Sequence, residues 1–262
     1  MNLRSFSEYL SNQLIRVTTY RFFCQISLPL ILIMALGLRL FRHWMEPMIS
    51  RDAQLYLHQG TLWAEGDFAS LAGSGAEWIP PLLPWGIGCG IRCGLSAYTA
   101  GIIINITAGT LLILALFLVV REFCRSSHWG VLGAVFGAIV PEFIQLSIEI
   151  QRETLYLLFF TLTLWLMIRA VRRRQLWCWS VAGFLLFPTV FARYEALELL
   201  FFTPLFLSYC LILKRAGWKN DLAALGYFVV GAIASGIFFS LIIGIPLDYY
   251  LEALPERIKG IL

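Results

Sequence analysis

Long apolar runs separated by short polar stretches organise this chain. Phe22 to Phe41 is the first, followed by Tyr98 to Val120, Trp129 to Phe143, Thr154 to Ala170, Leu176 to Ala192, Ala196 to Leu213 and Leu222 to Ile245. At 1.5 Å per residue each run comes close to the roughly 30 Å of a hydrocarbon layer, so the pattern predicts an all-α polytopic membrane protein with about seven spans. Ahead of the first span, Leu3, Phe6, Leu10, Leu14 and Val17 share one side of residues 1–21, with Arg4, Arg16 and Arg21 elsewhere. That spacing predicts an interfacial helix on the cytoplasmic surface. No small-residue cleavage site follows Phe22 to Phe41, so this run is expected to remain as an anchor.

Between the first two runs lies a polar, aromatic-rich island, Ile49 to Trp85. It reads as an outer catalytic loop, within bounds of 42–97, carrying interfacial helices. Pro80 to Leu95 is apolar but short, glycine-rich and interrupted by Arg92. We expect it to lie as a helix at the outer surface, with an eighth span as the alternative. Charge separates the two. With seven spans and the N-terminus inside, 12 of the 20 Lys and Arg fall in cytoplasmic segments, and only Glu8, Glu122 and Asp221 of the 16 acids join them. An eighth span would turn the cluster Arg169 to Arg174 outward, against the positive-inside tendency.

Composition agrees with the pattern. The 262 residues are 59% hydrophobic and 14% charged with a mean hydropathy of +0.77, which excludes a soluble domain. The net charge of +4 is unclustered, so nucleic acid is not expected as a partner. Most of the six cysteines stand in apolar runs, where a thiol acts as a small hydrophobe. Cys89 and Cys93 are spaced i, i+4, but no second ligand pair follows them, so no structural metal is expected. Gly133 and Gly137 form a small-xxx-small face suited to helix packing.

The candidate chemistry sits at the outer ends of the spans. Asp52 opens the island, followed by Tyr56, His58, Gly66-Asp67 and Pro80-Pro81. The second outer loop, 145–153, brings Glu149, Arg152 and Glu153 to the mouth of an apolar helix, where charges are costly unless paired or functional. If that turn is already helical, Glu149 shares a face with Arg152 or Glu153. Arg193, Glu195 and Glu198 mark the exit of Leu176 to Ala192. Asp52, Glu149, Arg152 and Arg193 are therefore expected to converge on one cavity. Simpler roles exist for each: Asp52 as a helix N-cap, the arginines as snorkelling side chains, the glutamates as solvated rim residues, His58 and Tyr56 as packing groups and Asp67 as a turn former.

The order of these features carries a resemblance. It consists of a first span, an outer loop opening Arg51-Asp52-Ala53, a Gly-Asp pair about fifteen residues on, Pro80-Pro81-Leu82, a span ending in basic residues, then Arg152-Glu153-Thr154-Leu155 and a helix Gly183 to Arg193 ending in Arg. Over roughly residues 15 to 245 the chain resembles the GT-C class of integral-membrane glycosyltransferases, which includes protein O-mannosyltransferases and the lipid A aminoarabinose transferase.

The resemblance implies a GT-C-like core over 22–245 and an inverting transfer of a hexose or pentose from a polyprenyl-phosphate donor to a lipid, glycan or protein acceptor. Asp52 would be the general base, or would hold a divalent cation such as Mg or Mn. Arg152 and Arg193 would bind the donor phosphate, with Glu149, Glu153, His58 and Tyr56 as further substrate-binding residues. Where relatives carry two adjacent acids in the first loop, Arg51 precedes Asp52 here, which argues against metal dependence. The expected location is a bacterial plasma (inner) membrane with a periplasmic or external site. The outer tail, 246–262, is short for the class, so a minimal enzyme, a truncated one or one needing a partner subunit all fit. The alternative function is a non-catalytic polyprenyl-phosphate transporter or assembly subunit. No internal repeat is visible, and the charges gather at one face, which favours the enzyme.

Overall fold

A computed structural model describes residues 26–47, 49–67, 70–71, 79–199, 201–203, 205–206 and 218–243. The expected N-terminal helix 1–21 and tail 246–262 lie outside the described residues. All regular elements described are helical, with no strand among them. In chain order they are α1 (Ile26–Met45), α2 (Arg51–Glu65), α3 (Leu82–Arg92), α4 (Ala97–Cys124), α5 (Ser127–Ile139), α6 (Pro141–Ile148), α7 (Arg152–Arg173), α8 (Leu176–Ala192), a 3₁₀ turn Tyr194–Leu197, and α9 (Trp218–Ile243).

Among the described residues, four helices are long and apolar enough to cross a membrane: α1, α4, α7 and the stretch Leu222–Ile242 of α9. A fifth crossing is reached when α5 and α6 are taken together, but they are bent by 59°. The continuous span expected over Trp129 to Phe143 is therefore corrected to a broken one. Its cause is in the sequence: Pro141 cannot continue the amide ladder, and it holds Val140 in an extended conformation, φ −64° and ψ 122°. The α8 helix, at 17 residues, is apolar but shorter. Ala196 to Leu213 is described only in part, as far as Phe206.

The segment Pro80 to Leu95 forms a short helix, as its length and composition predict. Its helix α3 has 11 residues, about 16 Å, too short to cross. One face of it is packed: Leu83 and Ile87 are fully buried in one core with Tyr56 of α2, Ala100 and Ile106 of α4 and Leu155 of α7. Gly60 of α2 and Gly88 of α3 allow this, because a Cβ on Gly60 would run into Ile87 and one on Gly88 would come 2.8 Å from Cβ of Trp63. Arg92, which looked like an interruption, caps the end of α2, donating to Trp63 O at 2.9 Å and Ala64 O at 3.0 Å.

Elsewhere small residues set helix spacing, as expected where lipid supplies no hydrophobic drive between helices. The face of α5 made by Gly133 and Gly137 lies on Val120, Leu116 and Ile113 of α4, meeting the reading of that stripe. Between α8 and α9 the backbones touch: a Cβ on Gly231 would strike the Ser180 carbonyl, and one on Gly183 the Phe228 carbonyl. Gly226, on the same α9, has nothing within 4 Å. Gly231→Ala is accordingly expected to destabilise the protein by about 1–3 kcal/mol, and Gly226→Ala to be neutral or stabilising. Thermal unfolding in detergent checks both; equal shifts for the two variants would contradict the contact.

Candidate active site

Ser50 starts α2 as its N-cap, its Oγ accepting from Ala53 N at 3.1 Å, so Asp52 is not needed for that task. Asp52 stands exposed in the first turn, one helical turn before Tyr56. Ala53, Tyr56, Gln59, Gly60 and Trp63 form the buried face of α2, and Tyr56 is only 5% exposed. Burial pushes its phenol up to about 12, and neighbouring charges act on it in both directions: Arg152 and Arg193 downward, Glu153 and Asp52 upward. One tyrosine thus feels four of the residues the sequence singled out. At neutral pH it is a neutral hydrogen-bonding group. His58 is exposed and points about 160° around the helix from Tyr56, so the fold does not bring it to this cluster.

The charged partners come from the start of α7 and the end of α8. Glu153 Oε1 lies 3.7 Å from Arg152 Nε and 3.7 Å from Arg193 NH1, one carboxylate shared between two guanidiniums. Arg193 follows α8, its amide bonded to Thr189 O at 2.9 Å. Its Nε comes within 3.1 Å of Glu195 Oε1, and its Cζ sits 5.8 Å from the centre of the Tyr156 ring. Burial works to raise the Glu195 carboxyl, but its own backbone amide and Arg193 outweigh this and hold it below the ordinary carboxylate value. The Nε atoms of Arg152 and Arg193 are buried and complete no aligned hydrogen bond. Two guanidiniums held by two carboxylates, Glu153 and Glu195, thus stand together at the ends of α7 and α8.

Glu149 is held differently. The expected loop 145–153 shrinks to Glu149, Ile150 and Gln151, because α6 runs to Ile148 and α7 begins at Arg152. Glu149 is extended, ψ 139°, so it shares no helical face with Arg152 or Glu153. Its two carboxylate oxygens each accept from a glutamine, Gln145 and Gln151. Asp67 accepts from Ser70 N and Oγ in a turn after Gly66, whose φ is +75°. Tyr194 OH donates to Ile79 O at 3.3 Å, fastening the 3₁₀ turn to the Pro80-Pro81 segment.

An apolar cavity of about 580 Å³ is lined by Tyr156 and Glu195, the two residues that Arg193 meets. Glu195 and Glu198 stand at its polar end. Its wall follows one stripe of α7 through Tyr156, Phe160, Leu164 and Met167, eleven residues or about 16 Å of helix. Leu199, Phe202, Leu205 and Phe206 close the other side. An acidic rim, with Arg193 paired to Glu195 behind it, borders a long apolar slot.

Sequence reasoning passed over Tyr156, the two glutamines and Arg39. The glutamines and Tyr156 carry no pattern that sets them apart. Arg39 did carry a signal, an isolated charge inside the first apolar run, where it was absorbed into the anchor. As for a divalent cation, no group of three His, Cys, Asp or Glu among the described residues is arranged to hold one. Asp52 shares its surroundings with two arginines, and Glu153 is already shared by them, so the donor set does not suit a metal ion and no step is derived through one.

The chain matches the sequence profile of a family described as dolichyl-phosphate-mannose-protein mannosyltransferase over residues 79–239. No curated protein matches it. The matched stretch contains Glu149, Arg152, Glu153, Arg193 and the whole cavity wall, and begins after Asp52, Tyr56 and His58. More than half of the chain is covered. On that match, and with an all-helical fold of membrane-crossing helices, this integral membrane protein belongs to the dolichyl-phosphate-mannose-protein mannosyltransferase family of glycosyltransferases.

Proposed function

We propose that the protein is an inverting glycosyltransferase acting on the outer face of a bacterial plasma membrane, with a polyprenyl-phosphate-linked hexose or pentose as donor. The observation that carries this reading is Arg193, which pairs with Glu195 and stacks on Tyr156, two residues in the wall of an apolar slot. A polyprenyl-phosphate sugar has the complementary order of parts: an anionic phosphate for Arg152 and Arg193, and a branched hydrocarbon tail for the stripe beneath them. A soluble nucleotide-sugar donor would leave that slot without purpose.

In the reaction, the hydroxyl of a lipid, glycan or protein acceptor attacks the anomeric carbon. The new C–O bond forms as the bond to the lipid phosphate breaks. Asp52 takes the hydroxyl proton, and the two guanidiniums receive the charge that grows on the departing phosphate. Glu153 spaces and orients the arginines before the donor arrives. Tyr56, neutral and buried between them and Asp52, donates a hydrogen bond to donor or acceptor. Glu149, fixed by its glutamines, lines the approach, and His58 lies outside this arrangement. The opposite end of the helices carries Arg121, Arg125, Arg172, Arg173 and Arg174, which supports assigning that end to the cytoplasm. A partner subunit that presents the acceptor is compatible with this placement.

Purified protein given radiolabelled polyprenyl-phosphate sugars is expected to release lipid phosphate. Asp52→Asn should lower turnover about 10²-fold or more while leaving polyprenyl-phosphate affinity within about twofold. Binding without release by the wild type would instead indicate a lipid-handling or assembly subunit.

Arg193→Met is expected to weaken polyprenyl-phosphate binding about 10- to 100-fold, the worth of a charge-assisted contact. Titration calorimetry in detergent reads this directly. Unchanged affinity would remove the arginine from the phosphate site.

Tyr56→Phe separates donor from base. With its phenol near 12, Tyr56 keeps its proton throughout pH 5–9, so the variant should lower the rate without altering the shape of the pH profile. A basic limb that disappears with the hydroxyl would show that Tyr56 itself titrates in turnover.

A further inference from the structure

Arg39 is fully buried in α1. Its NH1 donates to Ala35 O at 3.0 Å, which turns the side chain back along the helix and sets the guanidinium level with Ala35. That level is about 14 Å from either end of a 20-residue helix. Among the described residues no acid forms an ion pair with it. Its Nε donates to Ser147 Oγ at 3.1 Å, and NH2 has no hydrogen-bond partner. A charge at this depth costs several kcal/mol unless it is compensated, so its one contact outside α1 deserves a physical account.

Ser147 belongs to the last turn of α6, the short helix beyond the break. It sits against Gly109 of α4, where any Cβ would collide with its side chain and would come 3.1 Å from Arg39 Nε. Two residues later the chain reaches Glu149, and then Arg152 and Glu153. Thr154 Oγ1, in the first turn of α7, donates to Leu146 O. The height of α6 therefore sets the height of the turn that carries half of the site. Because α6 is bent 59° from α5, helix continuity does not fix it.

We propose that Arg39 is a positioning residue for the outer site. Its guanidinium pins α6 to α1 through Ser147, across the socket left by Gly109, and so holds Glu149, Arg152 and Glu153 in place where α7 begins. The charge explains the choice of residue. A neutral donor could make the same bond, but breaking it would cost little. For a guanidinium in apolar surroundings, losing Ser147 leaves only Ala35 O as partner, so α6 is held far more firmly. The part of this inference that concerns donor binding rests on the function proposed above; the part that concerns α6 does not.

The test is hydrogen–deuterium exchange on the full chain in lipid nanodiscs, together with donor kinetics. In Ser147→Ala and in Arg39→Met, amides of 143–153 are expected to exchange at least tenfold faster than in the wild type, with α4 and α8 unchanged. Arg39→Lys, which keeps the charge but not the fork, should fall between. The double variant should exchange no faster than Arg39→Met alone, since both changes remove the same bond. Ser147→Ala should also raise the donor KM at least threefold and leave kcat within about twofold. Should Arg39→Met fail to fold, Ser147→Ala decides. Exchange in Ser147→Ala equal to the wild type, or faster by the same factor in every helix, overturns the proposal. Wild-type protein that binds no polyprenyl phosphate would overturn the functional reading and leave the exchange result to judge the pin.

Discussion

One carboxylate shared by two guanidiniums, Glu153 between Arg152 and Arg193, is the contact on which the site end of the molecule depends. It joins helices that begin and end at the same level, the first turn of α7 and the residue after α8. At the edge of an apolar layer, like charges this close would push the two helix ends apart, and a lone cation there would be costly. The shared acid makes the pair tolerable, and Glu195 adds a second carboxylate to Arg193. Tyr156 under Arg193 and Tyr56 among all four charges complete the wall with groups that are apolar in body and polar at the tip.

That arrangement can exist only because α2 and α3 bury themselves beside the spans. Gly60 and Gly88 let the two short helices approach until side chain meets backbone, and Arg92 satisfies the carbonyls at the end of α2. The packed face of α2 then carries Tyr56 inward while Asp52, four residues earlier, stays in reach of solvent. The proposed base, Asp52, and a tyrosine that keeps its proton are separated by one helical turn and by burial alone.

Much of this was legible in the sequence, and the reasons are physical. Apolar run length located the membrane-crossing helices, and charges at run ends located Arg152, Glu153 and Arg193, because a bilayer confines ionisable groups to its margins. Where the reading departed from the structure, local chemistry competed with hydropathy. Pro80 to Leu95 is glycine-rich because one face of its short helix packs closely on α2, a contact that composition alone does not reveal. Trp129 to Phe143 was counted as continuous although Pro141 lies inside it, since hydropathy is blind to a missing amide. His58 faces away because the α-helical period places it opposite Tyr56, a distinction that required α2 to be recognised as one regular helix. Arg39 was hidden by averaging, one charge diluted among many apolar neighbours.

The break between α5 and α6 also explains why the turn at Glu149 to Gln151 reaches the slot at all. Straight, the two helices would form a rod of about 33 Å, long enough to carry their end out of the hydrocarbon. Bent by 59°, the eight residues of α6 advance only about 6 Å along the direction of α5 instead of about 12 Å. The next helix therefore starts deeper, and Arg152 and Glu153 stand at the level where Tyr156 and the apolar stripe begin. A proline that looks like a defect in a span thus shortens the rise before α7 begins. A buried arginine on the neighbouring helix supplies the grip that a broken helix has given up.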